Sequence, residues 1–275
     1  MTESLFVLAG IAVALYFAAR LYLRQDSLIF RPRAATDRSP GLLGLDFEEL
    51  SLKSRDNGAV HGWWVPGRVP GKAVIFFHGS DGNITYELPT LRYLQALAAG
   101  VLMVDYPGYG RSEGRASERG CYEAAELAWD FARERKGFSG EDLVLYGHSL
   151  GSAVATYLAS SRSCAGVVFH SGFSSVPDMA SAVYPYLFAR YFVRTSMNSL
   201  ARIAECRCPF LALHSEEDEH IPISQALKVY ERAPGPKKFV RYHGPHRGHQ
   251  WQAAPGVREA LEELFGGRVE HWEQG

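Results

Sequence analysis

The stretch that most constrains this chain is Leu143-Val144-Leu145-Tyr146-Gly147-His148-Ser149-Leu150-Gly151. Four apolar residues read as a buried strand. Gly-x-Ser-x-Gly follows, and then Ser152 to Ala159, small and apolar, reads as a helix packed closely on that strand. A serine held on a sharp strand-to-helix turn sits in strained backbone and presents its hydroxyl outward. Positions two before and two after it need almost no side chain, which Gly147 and Gly151 satisfy. The helix N-terminus behind Ser149 offers free N–H groups and a positive dipole end to a developing oxyanion. Alone, the pentapeptide fits any glycine-rich turn; its flanking strand and helix make Ser149 a candidate nucleophile.

The surrounding pattern predicts an α/β fold built on a mostly parallel, doubly wound sheet. Phe47–Leu52 and Val60–Val65 read as antiparallel strands joined by Asp56-Asn57-Gly58. Ala73–Phe77 is continuously apolar, as a strand buried on both faces must be. From there strands and helices alternate: a helix at Tyr86–Ala99, a strand at Val101–Asp105, a helix at Glu118–Lys136, strands at Gly166–Phe169, Pro209–Leu213 and Lys238–Tyr242, and helices at Ser224–Arg232 and Gly256–Leu264. That alternation expects helices on both faces of the sheet. One insertion, about 174–205, breaks the rhythm with Tyr184, Tyr186, Leu187, Phe188, Tyr191 and Phe192. It is expected to form a small helical lid, or an ordinary crossover that also roofs the pocket.

A serine hydroxyl needs a base and a group to orient that base. On an open α/β sheet these lie on loops after strand ends, in the order Ser, acid, His. After Leu213 the run His214 to Pro222 contains four carboxylates. Asp218 is the expected acid because Ile221-Pro222 restarts structure just beyond it; Glu217 is the second choice. After Tyr242 stand His243, His246 and His249. His249 is the expected base, since it follows Gly248 and leads into the C-terminal helix; His246 is its rival. The spacing of the three histidines does not make a zinc site, which needs a fourth group and a defined scaffold, so no metal and no cofactor are expected. The oxyanion donors are expected to be the N–H groups of Leu150 and Ser80. His78 and Gly79 then shape the loop that carries Ser80.

Leu5 to Leu23 is apolar apart from Arg20. Nineteen helical residues span ~28 Å, close to the ~30 Å hydrocarbon core of a bilayer. Glu3 precedes the run and no A-x-A site follows it, so an uncleaved transmembrane anchor is expected within residues 1–33, with one domain over 34–275. Arg20 lies near the end of the run, Arg24, Arg31 and Arg33 follow it, and nothing basic precedes it. The positive-inside rule then places the catalytic domain in the cytoplasm. Across all 275 residues the net charge is −1, which gives no footing for nucleic acid. Cys206-x-Cys208 lacks redox or zinc spacing and is read as incidental.

With Gly147 to Gly151, His78-Gly79 and Asp105-Tyr106-Pro107-Gly108-Tyr109-Gly110-Arg111-Ser112 in view, the chain resembles the α/β-hydrolase superfamily. More narrowly it is similar to membrane-anchored serine hydrolases with one N-terminal span followed by Leu-Ile-Phe-x-Pro, here Leu28 to Pro32. The resemblance implies Ser149 as nucleophile, Asp218 as acid and a terminal histidine as base. It implies an esterase, lipase or thioesterase whose substrate is an acyl ester or thioester, of a lipid, a lipidated protein or a small molecule. Two departures stand out. The base region reads Gly-His-Gln-Trp where the subgroup has Gly-x-x-His-Asn-Asp, which leaves His246 and His249 both open. The early loop carries Asp81 beside the oxyanion position, where a carboxylate either disfavours an anionic substrate or faces solvent. An amidase or peptidase using the same residues, and a non-catalytic scaffold that binds lipid or protein, are the competing readings.

Overall fold

A computed structural model describes residues 10, 13, 16, 19, 20, 22–183 and 189–274. Eight strands form one sheet: β1 (Glu48–Lys53), β2 (Ala59–Pro66), β3 (Ala73–Phe77), β4 (Gly100–Val104), β5 (Leu143–His148), β6 (Gly166–His170), β7 (Phe210–Ser215) and β8 (Lys237–Tyr242). Their spatial order is β1-β2-β4-β3-β5-β6-β7-β8. β1 and β2 pair antiparallel with the Asp56-Asn57-Gly58 turn between them, and β2 is antiparallel to β4. Every other neighbouring pair is parallel. Adding an antiparallel pair at one edge leaves the central strands covered on both faces, and β3, β4 and β6 are buried at every position. This is why they read as unbroken apolar runs and not as alternating ones.

The helices divide between the two faces. α2 (Glu118–Asp130), α3 (Leu150–Ser161) and α6 (Ile223–Arg232) pack on one side with Ile75, Phe77 and Leu145. α1 (Leu88–Gln95) and α7 (Val257–Gly266) pack on the other with Val74, Phe76 and Tyr146. Successive strand residues point to opposite faces, so each central strand feeds both cores. α1 is shorter than the expected Tyr86–Ala99, because Ile84–Tyr86 turns as a separate 3-10 helix before it.

The insertion contains α4 (Val176–Val183) and α5 (Ser199–Ile203), with Ala189–Tyr191 as a single 3-10 turn. Tyr184, Tyr186, Leu187 and Phe188 lie outside the described residues, as does most of the expected anchor Leu5–Leu23. Among the described residues no helix is long and apolar enough to cross a membrane. Residues 22–29 are helical. They lead to a two-residue strand, Arg31–Pro32, that pairs in parallel with Asp81–Gly82. The Leu-Ile-Phe-Arg-Pro element therefore ends on the loop after β3, with Phe30 buried as its wedge.

Leu145, fully buried at the centre of β5, fills space between β5 and the helices above it. Leu145→Ala should lower the unfolding free energy by about 3 kcal/mol through lost transfer energy and the cavity left behind. Urea denaturation would show this as a lower midpoint at unchanged slope.

Candidate active site

β5 ends at His148 and α3 begins at Leu150, so Ser149 alone makes the turn. Its backbone stands at φ 54 and ψ −118, a conformation that costs a non-glycine residue roughly 1–3 kcal/mol and persists only where the surroundings enforce it. Two hydrogen bonds brace it. The Ser149 N–H donates to the carbonyl of His170 at 2.8 Å, and the Ser152 hydroxyl donates to the carbonyl of Gly147 at 2.8 Å. The glycines act as the sequence leads one to expect. A Cβ on Gly147 would lie 2.2 Å from the Gly151 carbonyl oxygen, and one on Gly151 would lie 2.0 Å from that of Phe77. Both glycines let α3 run against β3 and β5 with no side chain between.

The loop after β8 brings an imidazole to Ser149, and it belongs to His246. Its Nε2 is 3.0 Å from Ser149 Oγ, and its Nδ1 is 2.7 Å from Asp218 Oδ2. His249, the favoured candidate, is instead exposed at the start of the 3-10 turn Gln250–Ala253. The reason is the path of the loop. Gly244 sits at φ 136, its carbonyl takes the Ser215 hydroxyl at 2.5 Å, and Gly248 N–H closes a turn on Pro245 at 3.0 Å. The chain therefore reaches Ser149 four residues past the strand end, and His249, three residues further on, lines the same cavity without bonding the hydroxyl. The three histidines diverge accordingly. His243 faces Glu217 at 3.3 Å out in solvent, which also takes the second-choice acid away from the site.

Asp218 is almost wholly buried. Its Oδ1 accepts the N–H groups of His220 and Ile221 at 2.9 and 2.8 Å. Burial pushes its carboxyl up, but the His246 hydrogen bond and charge, with those two backbone donors, outweigh burial and hold it down to about 2. An ionised Asp218 keeps the proton on His246 Nδ1 and leaves Nε2 free to accept from the Ser149 hydroxyl. His148, the variable residue before Ser149, was not singled out by any sequence signal. Its ring stacks on His246 at 5.3 Å, and its Nε2 lies 3.3 Å from the His246 carbonyl oxygen. Burial first, then the neighbouring His246, lowers it to about 3, so it stays neutral and can donate there. Glu219 fixes the same residue from the other side, accepting the His246 N–H at 3.0 Å.

Leu150 opens α3, where its N–H has no intrahelical acceptor. The loop after β3 passes directly over Ser149: a Cβ on Gly79 would lie 3.4 Å from Ser149 Cβ. The Ser80 carbonyl is turned away, taking the Arg31 N–H at 2.8 Å and the Tyr109 hydroxyl at 2.9 Å. His78 is buried, with Nδ1 at 2.7 Å from the Gly79 carbonyl oxygen and its ring packed on Tyr106 and Tyr109. It is a prop for the loop and stands clear of the reacting groups. Asp81 neither faces free solvent nor presents an unpaired charge to the site. Arg33 Nε meets its Oδ1 at 2.7 Å and Arg247 Nη1 meets its Oδ2 at 2.5 Å. One carboxylate thus ties the N-terminal segment, the Ser80 loop and the His246 loop together.

These groups face a cavity of about 720 Å³. Its lining includes the apolar side chains of Leu28, Ile29, Phe173, Val176, Met179 and Val183. Glu87, Thr90, His148, His170 and Trp251 line it as well.

The family described as alpha/beta hydrolase fold matches residues 72–205. The uncharacterized protein YfhR of Salmonella typhi is 30% identical over 268 residues, covering 87% of this chain and 86% of that one. An uncharacterized membrane protein of Saccharomyces cerevisiae is 29% identical over 241 residues, covering 84% of each. Among solved structures, an esterase of Pyrococcus furiosus superposes with a TM-score of 0.71 at 18% identity, covering 87% of this chain and 98% of that one; at that identity the likeness is one of fold.

The Asp218 carboxyl, held at about 2 against an ordinary 3.8, contributes stability above pH ~4 that is lost as the pH falls toward ~2. The unfolding free energy of the wild type should therefore drop by about 2 kcal/mol more than that of Asp218→Asn across this window. Urea midpoints measured from roughly pH 5 to pH 2 check it, and parallel curves for the two proteins would remove Asp218 as the source.

Proposed function

The chain belongs to the α/β-hydrolase family, and from that premise we propose that it is a membrane-tethered serine hydrolase that cleaves carboxylic esters or thioesters of acyl chains. The observation that carries the reading is the continuous chain of hydrogen-bonding distances from Ser149 Oγ through His246 to Asp218, at 3.0 and 2.7 Å. Ser149 attacks the acyl carbonyl as its proton passes to His246 Nε2. The carbonyl oxygen becomes an oxyanion that accepts the N–H groups of Leu150 and Ser80, each donor lowering the barrier by ~3 kcal/mol. Asp218 steadies the imidazolium without taking its proton. His246 then protonates the departing alkoxide or thiolate, and the acyl group stays on Ser149. Water enters, gives its proton to His246 and attacks the acyl-enzyme; the imidazolium returns the proton to Ser149 as the carboxylic acid leaves.

The apolar part of the cavity lining supports an acyl chain as the part of the substrate held against Leu28, Phe173, Val176 and Met179. Val176, Met179 and Val183 of α4 line the cavity, which supports the reading of the insertion as a lid. The apolar run from Leu5 to Leu23 and the name of the yeast relative support a membrane tether. The arginines that follow the run support a cytoplasmic catalytic domain.

Labelling with a fluorophosphonate tests the machinery. Ser149→Ala should lose labelling entirely. His246→Ala should lose it by 10³-fold or more on the scale of other serine triads, whereas His249→Ala and Glu217→Gln should stay within about twofold of wild type, since neither touches Ser149. Equal losses in His246→Ala and His249→Ala would sink the assignment of the base. An unlabelled wild type that remains folded would favour a binding scaffold.

A further inference from the structure

The helical segment 22–29 and the insertion after β6 meet beside the mouth of the cavity. Gln25 Oε1 accepts the Arg194 N–H at 2.6 Å, and Gln25 Nε2 reaches the Phe192 carbonyl at 3.4 Å. Asp26 accepts the Thr195 hydroxyl at 3.2 Å and lies 3.6 Å from the Arg194 guanidinium, which stands 4.9 Å over the Tyr22 ring. These contacts join two distant parts of the chain into one surface, with Gln25 and Thr195 buried between them. Its outward side chains are large and apolar: Leu23 is 70% exposed, Leu28 54%, Tyr191 75% and Phe192 64%. A cluster of this kind on one face marks a partner.

Three observations say which partner. The apolar run that began at Leu5 ends at Leu23, on this same surface, so the chain leaves the expected membrane span where the patch begins. The flanking cations are Arg20, Arg24, Arg31, Arg190 and Arg194, while the described acids of the two segments are Asp26, Asp178 and Glu205, the first two each beside one of those arginines. Leu28 on one segment and Val183 on the other also line the cavity, so the patch and the mouth are continuous. We propose that this surface docks on an anionic bilayer, with Tyr191 and Phe192 in the interface, so that the cavity opens against the membrane and receives its acyl substrate from within the lipid. The inference rests on the tethered-hydrolase reading and adds to it a second membrane contact, made by the insertion. Aromatic side chains favour the headgroup level, and arginines there attract anionic lipid.

The test uses the full chain in phosphatidylcholine vesicles containing about 30% phosphatidylserine. All four native cysteines are buried, so Phe192→Cys accepts an environment-sensitive fluorophore selectively. In floated protein the label should shift to the blue and be quenched by brominated lipid. Tyr191→Ser/Phe192→Ser should hydrolyse a vesicle-embedded long-chain 4-nitrophenyl ester about tenfold more slowly, with the rate on water-soluble 4-nitrophenyl acetate within about twofold of wild type. An aqueous label in floated protein overturns the docking and leaves the tether standing; protein that fails to float overturns the tether and the docking with it. Self-quenching between labelled copies without lipid quenching assigns the face to a second copy and overturns the proposal. Equal loss on both esters does so too, because it reports a general disturbance.

Discussion

The close approach of α3 to the sheet is the contact on which the rest of the site depends. Gly147 and Gly151 bring helix backbone to within van der Waals distance of β3 and β5, and Ser149 is the residue left to span the gap. Its left-handed backbone is not favourable in itself. It is held because the His170 carbonyl takes its N–H and because the helix packs around Ala153, Val154 and Leu158 in the core. The same approach aims the first turn of α3 at the cavity, so one packing decision positions both the Ser149 hydroxyl and the Leu150 N–H.

The Ser80 loop is positioned from further away. The loop bearing Ser80 carries few side chains able to hold it, and its support comes from elsewhere: Arg31 and Tyr109 on its carbonyl, His78 and Tyr106 beneath it, and Arg33 and Arg247 on Asp81. The Leu-Ile-Phe-Arg-Pro element thereby acquires a physical meaning. Phe30 buries itself, Arg31 and Pro32 add a strand to the loop, and the segment that leads out of the apolar run becomes part of the site. Arg247 follows His246 directly, so the Asp81 carboxylate ties the His246 loop to the Ser80 loop. A charged pair at that location constrains geometry more than it adds stability, since both arginines are about half exposed.

Much of the fold was legible because its strands are buried on both faces. Ala73–Phe77 and Gly166–Phe169 are apolar at every position for that reason, and the Asp56-Asn57-Gly58 turn marks the hairpin chemically. Ser149 was legible because crowding permits only glycine at 147 and 151. Asp218 was legible from the end of β7. The histidine was not settled by position in the sequence, because three candidates stand within seven residues of one loop and the choice turns on where that loop bends. Gly244, Ser215 and Gly248 decide the bend. His148 and Glu219, which hold His246 from either side, carry no local signal, since a residue between two glycines and one acid among four look like surface chemistry.

By itself, then, the sequence determined what is imposed by local sterics and by burial: an α/β sheet, a serine on a glycine-flanked turn, and the loops on which an acid and a base must lie. The tertiary structure decided which imidazole reaches the hydroxyl, what Asp81 is bonded to, and that the segment after the apolar run walls the cavity together with α4. Those outcomes depend on contacts between residues far apart in the chain, from Arg31 with Ser80 to Ser149 with His246. The periodicity of a single stretch records which face of that stretch is buried, but not which distant residue it is buried against.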